Sequence, residues 1–377
     1  MQLKFVFLGL SITSSWGNGH ATTYRGLIRE LARRGHEVLF LEHDVPYYAM
    51  NRDLPQPPFC RTELYANLDD LFERFAGEVR AADVVVVGSY VPEGVRVGAW
   101  VCRVATGLRA FYDIDTPITL RGLDSGGMPY LLAAQVSEYD LYLSFSGGPS
   151  LARLTRDFGA RAVRALYCSV DPEHYYPERT TPSWDLGYLG TFSADRQAAL
   201  DHLLLEPAHC WSAGRFVVAG PQYPMELEWP ANVSRLSHVA PPDHRAFYNA
   251  QRFTLNLTRR DMLVAGYSPS VRLFEAAAAG APILTDIWPG LEQFFEPERE
   301  IALVRDSRDV LEWLQRRSEE ARLSLAEAGR RRVLSEHTAA HRAEALDSYA
   351  SELLAARARA RRRPKGEGQA LHTGGES

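Results

Sequence analysis

Between residues 268 and 286 an acidic side chain, Glu275, stands inside an otherwise apolar helical run that leads through Gly280 into a short apolar strand at 281–284. A carboxylate in that setting needs a partner, because a buried unpaired charge is costly. Ser268 or Ser270 suits the helix cap, Pro269 the first turn and Gly280 the end, so the segment reads as a helix feeding a strand of an α/β sheet. The helix start then points at the carboxyl edge of the sheet. Unpaired N–H groups and the positive end of the helix dipole make that place suitable for a phosphate. Glu275, nearly two turns further in, suits a neutral polyol such as a ribose. The other reading of the same residues is a capped core helix whose Glu275 pairs with a neighbouring arginine.

The rest of the chain supports the α/β class. Short apolar runs at 4–10, 37–41, 83–88, 109–112, 139–145 and 162–167 read as strands. Tyr24, Leu27, Ile28 and Leu31, and again Leu68, Leu71, Phe72, Phe75 and Val79, keep helical spacing between them, the alternation of a parallel sheet flanked by helices. A stretch at 171–182 rich in Pro and turn formers marks the expected boundary between the two series. A second series has strands near 185–189, 216–220, 253–257, 282–285 and 301–304. The expected division is a first Rossmann-like domain at 1–175, a second at 183–335, a closing helix at 336–356 and a disordered basic tail at 357–377.

A chain of 377 residues suits two domains. With 46% hydrophobic and 24% charged residues it has the balance of a globular protein, and a formal charge of −5 gives no reason to expect a nucleic-acid partner. Cys60, Cys102, Cys168 and Cys210 lie far apart without a Cys-x-x-Cys pair, which excludes a zinc knuckle or redox motif. The apolar start at 3–12 has one Lys, no small-residue cleavage site and a Trp-Gly-Asn-Gly turn after it, so it reads as a first buried strand rather than a signal peptide. No apolar run is long enough to span a membrane, and the expected location is cytoplasmic.

After the first strand, Gly17 and Gly19 precede His20 at the start of a helix, as in a Rossmann turn, although Thr22 stands where a dinucleotide fingerprint has its third glycine. Glu42, ending the second strand, matches the ribose-binding acid of an NAD enzyme, so an NAD-dependent oxidoreductase is one alternative. Asp113 and Asp115 follow the fourth strand candidate at the edge where open sheets bind ligands. They suit binding of a divalent ion or deprotonation of an acceptor hydroxyl, or a plain turn in which Asp and Pro serve backbone geometry. His337 and His341 are four apart, but no third ligand accompanies them. The arginines from 357 to 363 suit a solubilising end or weak contact with an anionic membrane.

Ser270, Arg272, Phe274, Glu275, Ala278 and Gly280, followed by Leu284-Thr285-Asp286, resemble the Ser-x-Arg-x-Phe-Glu-x-x-Ala-x-Gly donor-site run of GT-B glycosyltransferases of the CgeB-like, spore-maturation branch. Residues 289–295, Glu300-Ile301, the stretch 186–192 with Arg196, and the Asp-x-Asp-x-Pro of Asp113 to Pro117 continue the resemblance. It implies two Rossmann-like domains facing each other across a cleft, with a nucleotide-sugar donor on the second and a glycosyl acceptor on the first. By that resemblance Gly17, Gly19, Gly190, Arg196, Tyr267, Ser268, Ser270, Arg272 and Glu275 line the donor site, with Arg259 and Arg260 nearby. His20, Asp113 and Asp115 are the catalytic candidates. No cofactor and no catalytic metal are implied. Related retaining enzymes of glycosyltransferase family four carry a second glutamate eight positions before the ribose-binding one, and this chain has Tyr267 there. The expected activity is sugar transfer, with retention implied by that kinship alone. The alternative in a different class is a catalytically reduced nucleotide-binding protein.

Overall fold

In the computed structural model, which describes residues 2–362, two parallel sheets account for every strand. The first is built from β1 (Lys4–Gly9), β2 (Glu37–His43), β3 (Arg61–Tyr65), β4 (Val84–Gly88), β5 (Leu108–Asp113), β6 (Leu141–Ser144) and β7 (Val163–Ala165), in the order β3-β2-β1-β4-β5-β6-β7. The second contains β8 (Trp184–Leu189), β9 (Phe216–Ala219), β10 (Val233–Leu236), β11 (Gln251–Asn256), β12 (Ile283–Thr285) and β13 (Ala302–Leu303), in the order β10-β9-β8-β11-β12-β13. Helices cover both faces of each sheet, so central strands such as Val84–Gly88 are apolar throughout and buried.

Both sheets reverse their strand order at their first strand. β1 lies between β2 and β4, with Phe5 registered on Val38 and on Val84, and β8 lies between β9 and β11. Such a reversal leaves a crevice beyond the carboxyl ends of the central strands, where open α/β sheets bind ligands. The loops after β1, β4 and β5 on one sheet, and after β8, β11 and β12 on the other, are therefore the ones able to form a site.

Sequence patterning missed β3 and β10. Both lie at sheet edges, where Arg61, Glu63 and Arg235 interrupt the apolar pattern, a common protection of exposed edges. The C-terminal helix also differs from expectation. Its expected span of 336–356 is split: one helix, Glu319–Glu336, ends before His337, and a second, Ala339–Arg362, follows. The first six residues of the expected disordered tail are thus helical. Arg357 donates to the carbonyl of Gly107 at 2.7 Å, and residues 363–377 lie outside those described.

The break has a physical cause. The Val170 N–H donates to the His337 carbonyl at 3.1 Å and the Ala339 N–H to the Val170 carbonyl at 2.9 Å, inserting the chain segment after β7 between the helices. Arg342 completes the joint, donating to the carbonyls of Tyr167, Cys168 and Glu336 and to His337 Nδ1. Beyond it Ala343, Leu346 and Ala350 bury against the core of the first sheet, returning the chain to the half where it began. His337 is stacked on Phe274 at 4.7 Å and His341 Nδ1 faces the Thr338 hydroxyl, so the pair is structural. Replacing Arg342 by Met keeps the stem and orphans several buried acceptors, so urea unfolding should show a loss of about 1–3 kcal/mol. A change within about 0.5 kcal/mol, ordinary for a surface position, would contradict this account of the joint.

Candidate functional site

The loop after β1 is set by a buried carboxylate. Glu42 at the end of β2 accepts from Ser11 Oγ (2.9 Å), the N–H groups of Ile12 (2.8 Å) and Thr13 (3.0 Å), and Thr13 Oγ1 (2.6 Å). Its acceptor capacity is consumed and it has no exposed surface, so it holds the loop and has no face for the ribose of NAD. Asp53 fixes the next turn through Ser15 and a bidentate Arg25. Gly17 adopts φ +58°, Asn18 caps the following helix, and a side chain added at Gly19 would meet nothing within 4 Å, so the glycine turn is open. His20, in the first turn of that helix, is half-buried with its ring 5.3 Å from that of Tyr90 in an edge-on contact. Burial pushes its imidazole down to about 4, which leaves it neutral near pH 7.

The two aspartates after β5 separate. Asp113 is fully buried and accepts from Tyr142 Oη (2.7 Å), Thr119 Oγ1 (2.7 Å) and the Asp115 N–H (3.2 Å); burial pushes its carboxyl up to about 6. The expectation that it meets an acceptor is corrected here: its side chain is spent within the first domain's core. Asp115 is half-buried and accepts from Tyr90 Oη at 3.1 Å. Burial raises its proton affinity, and the positive charge of Arg259, from the loop after β11, opposes that rise. Arg121 pairs with Asp261 at 2.7 Å on the same rim. His20, Tyr90 and Asp115 therefore form one cluster on the first sheet facing arginine from the second.

On the second sheet the residues at the carboxyl edge include a group of arginines. Arg196 is buried, gives one Nη to the Thr191 carbonyl at 2.6 Å and leaves Nε without a partner. Desolvation lowers its pKa, and the charges of Arg272 and Arg259 lower it further. None of these three arginines has an ion-pair partner among the described residues, although most arginines of the chain do. Gly190 serves a neighbour instead of the site: the Tyr188 hydroxyl lies 2.4 Å from where its Cβ would stand, and Tyr223 Oη donates to its carbonyl at 3.2 Å.

The segment 266–275 joins the halves. Tyr267 holds φ +50°, its ring fills the space over Gly148 and Gly290, and its carbonyl accepts from the Gly147 N–H at 2.9 Å. A Cβ on either glycine would come within 2.3 or 2.4 Å of that ring. Ser268 is buried and hydrogen-bonded to Ser146 across the same seam. Ser270, not Ser268, caps the Val271–Ala278 helix. Tyr267 and Ser268 thus make a seam between the sheets, while Ser270 and Arg272 remain at the helix start.

Glu275 pairs with phenols rather than with a neighbouring arginine. It is buried, accepting from Tyr175 Oη at 2.9 Å and Tyr248 Oη at 3.4 Å, with His244 Nδ1 at 3.8 Å. Burial pushes its carboxyl up, but the nearby imidazole of His244, the Tyr175 hydrogen bond and the charge of Arg272 outweigh it, and the net shift is downward. Sequence reading missed Tyr175, Tyr248 and Tyr90 because phenols far apart in the chain leave no spacing signal. Glu275→Gln should lower stability by about 1–3 kcal/mol at neutral pH, since it weakens two buried hydrogen bonds to a charged group. A depressed folded pKa contributes stability above the unfolded value of about 4.3, which is lost as pH falls through the folded value. The wild type should therefore lose more stability than the variant between about pH 5 and pH 3 in parallel denaturation series; equal slopes would refute it.

Residues 196–348 match the family model described as "Glycosyl transferase-like", a segment that contains Arg196, Arg259, Arg272 and Glu275. No curated protein sequence matches the chain. Among solved structures, sucrose-phosphate synthase from Thermosynechococcus elongatus is similar at 15% identity and a TM-score of 0.66, with 94% of this chain and 100% of that chain covered. HepE from Anabaena, solved in complex with UDP, is similar at 14% identity and a TM-score of 0.67, with coverage of 93% and 100%. A glycosyltransferase from Rickettsia africae follows at 10% identity and a TM-score of 0.65, covering 94% and 99%. The chain thus shares the fold of these structures, two parallel sheets flanked by helices, and its segment 196–348, which spans the arginines described above, is glycosyl transferase-like.

Proposed function

We propose that the protein transfers a sugar from a nucleoside diphosphate donor, held mainly on the second sheet, to a hydroxyl acceptor held on the first. The observation that carries this reading is the convergence of Arg196, Arg259 and Arg272, none of which forms a salt bridge among the described residues. Three guanidinium groups without a direct salt bridge, beside a helix start, suit a diphosphate, whose oxygen pairs they match and whose charge they offset as it departs. Ser270 and the first N–H groups of the Val271–Ala278 helix add backbone donors. HepE has been solved with UDP-glucose, which makes uridine diphosphate sugars the first donors to test. Asp115 and His20, across from Arg259, are the groups of the first sheet available to an acceptor hydroxyl. The run around Ser270 to Gly280 supports membership of the CgeB-like branch, and the Pro-rich 171–182 stretch supports a domain boundary there. Retention of anomeric configuration belongs to this proposal by kinship with family four, with Tyr267 supplying no carboxylate on the donor side.

Calorimetry with UDP tests the donor site. Arg196→Ala or Arg272→Ala should each weaken binding about tenfold or more, the range for a hydrogen bond to a charged group, and wild-type affinity should fall as salt rises. Unchanged affinity in both variants would remove the diphosphate from this place. Release of UDP from UDP-sugars, against binding without turnover, separates a transferase from a protein that has kept only the pocket.

The reading also carries a metal prediction. With the diphosphate charge met by arginine and backbone donors, turnover should persist in excess EDTA. Loss on chelation with recovery on added Mg²⁺ or Mn²⁺ would show that a divalent ion is required.

A further inference from the structure

Tyr90 is the residue of the cleft that neither the donor reading nor the sequence pattern uses. It follows β4 at the carboxyl edge of the first sheet and holds φ +63°, a left-handed conformation that a bulky aromatic residue rarely adopts. Such backbone persists only when its surroundings over-determine it. Those surroundings are specific. The ring meets His20 edge-on at 5.3 Å and lies 4.7 Å from the ring of Tyr130, while the hydroxyl donates to Asp115 Oδ2 at 3.1 Å. Tyr130 in turn is hydrogen-bonded to Thr119, which donates to the buried Asp113, so the tyrosine is backed by a connected network. One side chain thus touches both acceptor-side candidates, and the unusual backbone is what brings it there.

We propose that Tyr90 is a positioning residue of the acceptor site: its hydroxyl aims Asp115 Oδ2 and keeps that carboxylate ionised, ready to accept a hydrogen bond from the incoming hydroxyl, while its ring holds neutral His20 beside it. This rests on the donor and acceptor assignment proposed above. The groups facing Asp115 are Tyr90 from the loop after β4, Arg259 and Asp261 from the loop and helix after β11, and Arg121 from its own helix; Asp113 lies two residues away. A hydrogen bond given to the charged form favours that form, so removing it makes the carboxylate easier to protonate.

The test uses the full chain with UDP-glucose as donor and water as acceptor, read as UDP release, alongside ¹³C-carboxyl titration of aspartate-labelled protein with the Asp115 signal assigned from Asp115→Asn. Tyr90→Phe keeps the ring between His20 and Tyr130. In it the Asp115 titration should move up by about half to one pH unit, the acidic limb of the UDP-release profile should move with it, and the donor KM and the UDP affinity should stay as in wild type. Placing 3-fluorotyrosine at position 90 strengthens the donor without removing it and should shift both readouts the opposite way. This second substitution also keeps the test open if Tyr90→Phe fails to fold. A carboxyl titration that does not move, or one that moves while the rate profile and kcat do not, overturns the proposal. A wild type that binds no UDP and releases none defeats the donor reading, and the role of Tyr90 in transfer falls with it, whereas UDP binding with an unshifted Asp115 defeats the Tyr90 assignment alone.

Discussion

The seam between Ser146–Gly148 and Gly266–Ser268 is the constraint on which the chemistry of this molecule depends. The carboxyl edges of two parallel sheets form a common site only if they are held opposite each other. Here a backbone hydrogen bond from Gly147 to Tyr267, a serine pair and an aromatic ring lodged against two glycines do that. Tyr267 takes a left-handed conformation to make these contacts at once. Tyr267 and Ser268, positions that sequence resemblance assigns to a donor, are occupied by contacts between the halves.

Charge is distributed across that seam in a consistent way. Of the first half's carboxylates near this edge, Glu42 and Asp113 are consumed internally and Asp115 is left half-buried at the edge. Arg196, Arg259 and Arg272 of the second half have no salt-bridge partner among the described residues, although most of this chain's arginines do. Leaving Arg196 buried with an unpartnered Nε is unfavourable for the fold alone, and a ligand with several anionic oxygens would relieve it. Buried strain and uncompensated charge at one edge, with a well-packed core behind it, is the pattern of a fold that gives up some stability at its site.

The C-terminal joint works by the same logic. Arg342 is nearly buried yet faces only neutral acceptors, three carbonyls and an imidazole, so its value lies in satisfying groups that would otherwise be orphaned where the chain crosses back. It ties the segment after β7 to the final helix and so links the two halves away from the cleft.

The α/β class, the central strands and the helix from Val271 to Ala278 were legible because apolar periodicity and capping residues are local properties of the chain. Arg196 and Arg272 were legible as residue types beside a recognisable run. What stayed hidden was non-local. Edge strands β3 and β10 carry charges that erase their pattern, and the break at His337 arises from hydrogen bonds to Val170, far away in sequence. The fates of Asp113 and Asp115, two residues apart and alike on paper, were decided only when the sheet pointed one at Tyr142 and the other at Tyr90. Likewise Glu275 found phenols rather than an arginine, because burial and hydrogen-bond supply are set by whatever the tertiary structure brings alongside. The sequence by itself determined which segments form helices and strands and which chemical groups are available; only the packing of distant segments decided which of those groups are spent on the fold and which are left facing the cleft.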